Sequence, residues 1–150
     1  MSYVLKNIIT YDKERNSFEL QEVYLFPGKG ISGDRHYDEE ANQISVLFVE
    51  SPDMDADYMQ IIESKDNYGK GLCHIRHKAN LYIICDQHPD LAVDREFTIG
   101  DKVLRISKTK PCFDECVLHQ NGDDCYLKAN ACFAEVITGG NIETDDPVSC

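Results

Sequence analysis

The sequence predicts a single, mainly β domain, and three observations predict it. Its 150 residues match one ordinary domain and suffice to bury about two thirds of the unfolded surface without disulfide staples. Short runs rich in β-branched and aromatic residues recur at close spacing, and only one segment is patterned as a helix. No internal repeat, low-complexity tract or linker interrupts them, so residues 1–150 read as one compact sandwich or barrel.

Taken in order, SYVLKNIIT and SFELQEVYLF read as two strands, joined by a turn in the polar YDKERN. QISVLFVES places Ile44, Val46 and Phe48 on one face and Leu47 and Val49 on the other, which predicts a central strand. The stretch SPDMDADYMQIIESKDNYG predicts the helix. Ser51 is its cap, Pro52 its first residue, Met54, Tyr58, Ile61 and Ile62 its apolar stripe, and Gly69 its end. ANLYIIC and DKVLRIS are further strands, the second introduced by the turn signal Gly100-Asp101. CFAEVITGGNIETDDPV predicts a strand, a double-glycine turn and a short final strand.

Composition narrows the function. Fifteen Lys and Arg against 27 Asp and Glu leave a net charge of −12, a repulsive field for a polyphosphate backbone, so nucleic acid is not an expected partner. A phosphorylated small molecule remains compatible, because a few positioned cations and backbone N–H groups outweigh a distant field. No apolar run has the length of a membrane span and the N-terminus lacks the pattern of a secretory signal, which predicts a cytoplasmic protein with no membrane partner. Seven cysteines is an odd number, and a reducing compartment keeps them as thiols, ligands or nucleophiles.

Three stretches do not read as scaffold. In PGKGISGDRH, Gly28, Gly30 and Gly33 allow close backbone approach to a ligand, while Arg35 and His36 can meet an anion; a plain surface turn is the alternative. In KGLCHIRHKANLYI, Arg76, His77 and Lys78 place positive charge just before a strand, where Arg suits phosphate or carboxylate recognition and Asn80 can order the turn; edge charges that guard a sheet are the alternative. The third, KPCFDECVLHQNGDDCYLKANAC, holds four of the seven cysteines. Cys112, Cys116, His119 and Cys125 can be written as a structural zinc set, although the second half forms no compact knuckle. Soft-metal chemistry at one thiolate fits equally well. Asp114, Glu115, Asp123 and Asp124 oppose a thiolate there, so activation calls for cations from elsewhere, which points back to Arg35, His36 and Arg76. Cys73, Cys85 and Cys132 sit among apolar residues and read as small buried hydrophobes.

In this order, GISGDRH, QISVLFVES, GLCHIRHKANLYI, FTIGDKVLRISKTKPCFDEC and CFAEVITGGNIETDDPV resemble the MOSC domain family, named for the C-terminal domain of molybdenum cofactor sulfurases. The match runs from about Gly30 almost to the C-terminus and is closest to the small stand-alone prokaryotic members. The resemblance implies a β-barrel-like fold with a few peripheral helices and a pocket for the anionic pterin of the molybdenum cofactor (molybdopterin). It implies a soft ligand or sulfur carrier at Cys116 or, second, Cys112: Cys116-Val117 matches the larger reductases, and Pro111-Cys112 many stand-alone members. It further implies cofactor contacts from Gly30, Gly33, Asp34, Arg35, Arg76 and Asn80, with Asp34 ordering its loop and His36 giving a polar contact or a proton.

Three functions remain open at this point. The first is a binding or sulfur-carrier domain acting with molybdoenzymes and with sulfur-donor or electron-donor proteins, because no desulfurase or reductase domain accompanies it. The second is a molybdenum-dependent reductase of N-hydroxylated substrates. The third is a zinc-stabilised structural β domain.

Overall fold

Ile44 to Glu50 form a strand in which every residue but the last is buried, as expected of a run apolar on both faces. In the computed structural model, residues 2–40, 42–65, 67–71, 73, 77–109 and 112–150 are described. Their strands are β1 (Tyr3–Tyr11), β2 (Ser17–Leu20), β3 (Glu22–Phe26), β4 (Gly30–Ile31), β5 (Ile44–Glu50), β6 (Leu81–Cys85), β7 (Glu96–Ile99), β8 (Lys102–Thr109), β9 (Ala131–Thr138), β10 (Gly140–Glu143) and β11 (Val148–Ser149). Their helices are short: α1 (Tyr58–Glu63), α2 (Val117–Asn121) and α3 (Tyr126–Asn130). With 42% strand and 11% helix, the fold is mainly β. No helix among the described residues is long and apolar enough to cross a membrane.

One sheet runs β11-β7-β8-β9-β5-β6-β1-β2 and a second runs β10-β3-β4. Among the described residues only β5 and β6 pair in parallel, Val46 opposite Leu81 and Phe48 opposite Ile83, with α1 inside the crossover. The large sheet does not close, so barrel-like describes it only loosely. Its nearest approach to closure is a stitch from β1 to the residues before β11. Leu5 N donates to Asp146 O at 3.0 Å, Asp145 N donates to Leu5 O at 2.7 Å, and Val4 bridges Pro147. The stitch stays short because β1 pairs with β2 along Ile8 to Tyr11 and β11 has only two residues.

Two cores follow from this curl. Ile44, Val46 and Phe48 join Leu5, Leu81, Ile83, Leu104 and Ala134 in the main core, and the second sheet adds Leu25 and Ile142. Leu47 and Val49, on the opposite face of β5, pack with Tyr82, Ile84, Ile62 of α1 and Leu127 of α3. Strands β5 and β6 are therefore buried on both faces, which accounts for their continuous apolar runs.

Several elements differ from the sequence reading. SFELQEVYLF is two strands that part at Gln21, with β2 paired to β1 and β3 paired to β10 and β4. The helix begins at Tyr58, not Pro52. Its cap is Asp57, whose Oδ1 accepts from Met59 N at 2.9 Å, while Ser51 Oγ closes a turn by accepting from Asp53 N at 3.1 Å. Asp53 likewise accepts from Asp55 N, so short acidic side chains compete for the backbone and hold this stretch out of the helix. The double glycine does not form a hairpin: β10 leaves β9 and pairs with β3. Gly139 is required there because a Cβ would run into Leu25 O and lie 2.6 Å from Pro27 Cδ. Helices α2 and α3 had no periodic signal in five residues each.

Candidate functional site

Residues singled out in the sequence gather at two places, one where β1, the glycine loop, β5 and β6 meet and one beyond the end of β8. The first is built around Tyr11, the last residue of β1. Asp34, 5% exposed, accepts from Tyr11 N and Asn80 Nδ2 at 2.9 Å each through Oδ1, and from His36 N at 3.0 Å through Oδ2. Asn80, 1% exposed, also donates to Ile9 O at 3.0 Å and accepts from Ser45 N at 2.9 Å. Two polar side chains thus tie β1, the glycine loop, β5 and the start of β6 into one node, and a buried carboxylate with three donors is well satisfied.

Cations collect over this node. The Arg35 guanidinium lies 5.8 Å and Lys78 Nζ 5.2 Å from the centre of the Tyr11 ring. Burial pushes the Tyr11 phenol up from its ordinary value, with Tyr82 beside it adding to the effect, so Tyr11 stays a neutral donor to Ala79 O at 3.1 Å. Arg35 Nε is buried and has no acceptor among the described residues, leaving one directed donor for an anion. His36 pairs its Nδ1 with Glu39 Oε2 at 2.6 Å and sets its ring edge-on to Phe133, 6.5 Å away. Lys108 Nζ lies 5.4 Å from the same Phe133 ring. Gly30 is buried in β4 against Gln43, and Gly33 is exposed in the loop beyond it.

The second place is a groove of about 480 Å³ after β8, lined by Cys112, Cys116, His119, Cys125 and Lys128 with Asp123 and Asp124. Cys116 is the N-terminal cap residue of α2 and Cys125 that of α3. Gly122, at φ 69°, ends α2. Gly122 N donates to His119 O at 3.2 Å and Asp123 N to Leu118 O at 2.9 Å, a Schellman turn that brings Cys125 back to the groove. Cys116 is buried and Cys112 half-buried. Among the described residues, no three His, Cys, Asp or Glu side chains converge to hold a metal ion, so the written zinc set shares a groove without forming a cage.

Among the described residues, none of Gly30, Gly33, Asp34, Arg35, His36 or Asn80 lines the cysteine groove. The two places are nonetheless neighbours through the sheet. Lys108 pairs with Phe133 and Thr109 with Cys132. Cys112, four residues beyond Lys108, lies within about 14 Å of its Cα by chain length alone. Arg76, His74 and Pro111 fall outside the described residues. Cys85 and Cys132 are core residues whose burial pushes both thiols up to about 12, and Cys73 packs at the edge of the second core. Sequence reasoning missed Tyr11, Lys108 and Phe133. Lys108 had a signal, a lysine just ahead of the cysteines in SKTKPC, whereas Tyr11 read as part of the polar turn YDKERN and Phe133 as an ordinary strand residue.

No family model matches the sequence, and no curated protein matches it. The fold does find counterparts. Over 99% of the chain it is similar to the crystal structure of a hypothetical protein (TM-score 0.60, 17% identity, 66% of that chain), to the YUAD protein from Bacillus subtilis (0.58, 13%, 94%) and to YiiM from Escherichia coli (0.56, 14%, 69%). YiiM is a MOSC-domain protein. The fold is MOSC-like. At these identities the likeness concerns the fold alone. The chain spans 66% of the length of the first neighbour and 69% of YiiM, so those proteins carry further residues.

Proposed function

We propose that this chain is a MOSC domain that holds the molybdenum cofactor, or carries sulfur to it, in concert with partner proteins. The observation that carries the reading is the pair of thiols, Cys112 and Cys116, on one open groove next to the strand end that holds Lys108. Molybdenum bound to a pterin dithiolene takes one protein sulfur, so the absence of a three-ligand cage among the described residues is compatible with it. The groove volume lies within the usual range for small-molecule sites. Bound there, the cofactor would supply a soft, redox-active metal.

The chain's own residues would do the rest. Cys116, or Cys112, serves as the thiolate or as the site of a persulfide. The free Nε of Arg35, with Lys78 and Lys108 close to the node, meets the anionic end of the pterin. The Asp34–Asn80 node fixes the loop that presents Arg35, and His36, oriented by Glu39, can hand over a proton.

The test is elemental analysis for molybdenum, tungsten and zinc after production in a host that makes the cofactor, beside Cys116→Ala and Cys112→Ala. Molybdenum or tungsten near one per chain that falls in either variant supports stable binding and justifies screening N-hydroxylated substrates. Without metal, a donor persulfide should add the mass of one sulfur atom to the native chain and not to the variant lacking the acceptor. Zinc near one per chain with neither result, or both variants retaining all binding and sulfur transfer, would overturn the assignment.

A further inference from the structure

On the other side of α3 from the cysteine groove lies a second, smaller space. Lys128 and Ala129 of α3 line the groove, whereas Tyr126 and Leu127 line a cavity of about 120 Å³ under α1, against Leu47 of β5 and Tyr82 of β6. We propose that this cavity is a binding site for a small, neutral, flat ring such as benzene or a single-ring heteroarene. The inference stands apart from the cofactor reading and uses none of its residues.

Size, wall chemistry and charge carry it. A cavity of roughly 150 Å³ lined by apolar side chains holds one benzene, and the space here is slightly smaller, which limits the occupant to a single ring. Three of its walls are the rings of Tyr68, Tyr82 and Tyr126, and its remaining apolar walls are Leu47, Met59, Ile62 and Leu127. Stacking is already in use at this spot: Tyr58 lies on Tyr82 with centroids 4.2 Å apart and planes 35° from parallel. The hydroxyl of one wall tyrosine is occupied: Tyr126 donates to Phe48 O at 3.2 Å. The described lining holds no Asp, Glu, Lys or Arg, so a charged ligand would lose its hydration without gaining a partner of opposite charge. Apart from the tyrosines, His77 is the only polar side chain in that described lining.

Fluorobenzene followed by ¹⁹F NMR tests this directly. Saturable binding is expected, with a dissociation constant on the order of 1 mM or tighter for so few atoms. Ile62→Phe, which fills the cavity from α1, should weaken binding at least tenfold while leaving the melting temperature unchanged or higher. Met59→Phe, at the more exposed rim, should do the same if the first variant fails to fold. Benzoate, equal in ring size and charged, should bind at least tenfold more weakly than fluorobenzene. No saturable response up to about 10 mM, undiminished binding in a folded filled variant, or benzoate binding as well as fluorobenzene would each overturn the proposal.

Discussion

Replacing Asn80 with Ala removes the side chain that joins four segments, and its cost can be worked from the bonds it makes. Asn80 is 1% exposed and makes three side-chain hydrogen bonds, accepting from Ser45 N and donating to Ile9 O and to Asp34 Oδ1. Two neutral bonds contribute about 1 kcal/mol each and the bond to the carboxylate about 1.5–3 kcal/mol, so Asn80→Ala should cost about 4 kcal/mol. That is a large part of the about 5–15 kcal/mol available to a domain, and it should lower the melting temperature by about 8–16 °C. Urea titration at neutral pH, read by circular dichroism, gives the midpoint and slope. A lower midpoint with an unchanged slope is expected. Asn80→Asp keeps the acceptor for Ser45 but loses both donors and sets a second carboxylate against Asp34, so it should destabilise at least as much. A loss below about 1 kcal/mol in the alanine variant would show that the node does not hold the glycine loop.

Three further outcomes follow from the same structure. Gly139→Ala should cost about 1–3 kcal/mol in urea titration, because the added methyl meets Leu25 O and Pro27 where the chain passes from one sheet to the other. Cys85 and Cys132 titrate at about 12 when folded against an ordinary 9.0, so the unfolded chain releases those protons first as pH rises. Their stabilisation is complete below pH 9.0 and should fall by about 1.4 kcal/mol per pH unit per thiol toward pH 12; a urea midpoint that does not move between neutral pH and pH 11 would contradict this. In native alkylation with iodoacetamide, resolved by peptide mass spectrometry, Cys112 in its groove should react well before Cys85 and Cys132, and equal rates would mean that the core opens more readily than its burial implies.

What could be read in advance was what depends on local pattern. The double-sided apolar run of β5 announced its central place, and Gly100-Asp101 announced the start of β8, because each signal is complete within a few residues. The break at Gln21 was hidden because β2 and β3 have the same strand chemistry and differ only in which distant strand they meet. The helix start was misplaced because Ser51-Pro52 is a good opening, yet Ser51 Oγ and Asp53 Oδ1 take up the N–H groups of Asp53 and Asp55 first, and Asp57 is the cap from which the helix starts. At the candidate site, the glycine loop and the cysteines were visible as unusual residue types. Their partners were not: Tyr11, Lys108 and Phe133 acquire meaning only when β1, β8 and β9 bring them beside residues far away in sequence.

The stitch between Leu5 and the pair Asp145 and Asp146 also bears on how the protein is made. The groups that complete the hydrogen bonding of Leu5 are synthesised 140 and 141 residues after it. At about 5–20 residues per second, the first strand waits roughly 7–28 s on the ribosome with part of its edge open. During translation β2 can cover the Ile8–Tyr11 part of that edge and β6 the opposite edge, but the Leu5 part waits for its last neighbour. Until those residues are made, this part of the first strand stays open, and that interval is when it is most exposed to pairing with another copy.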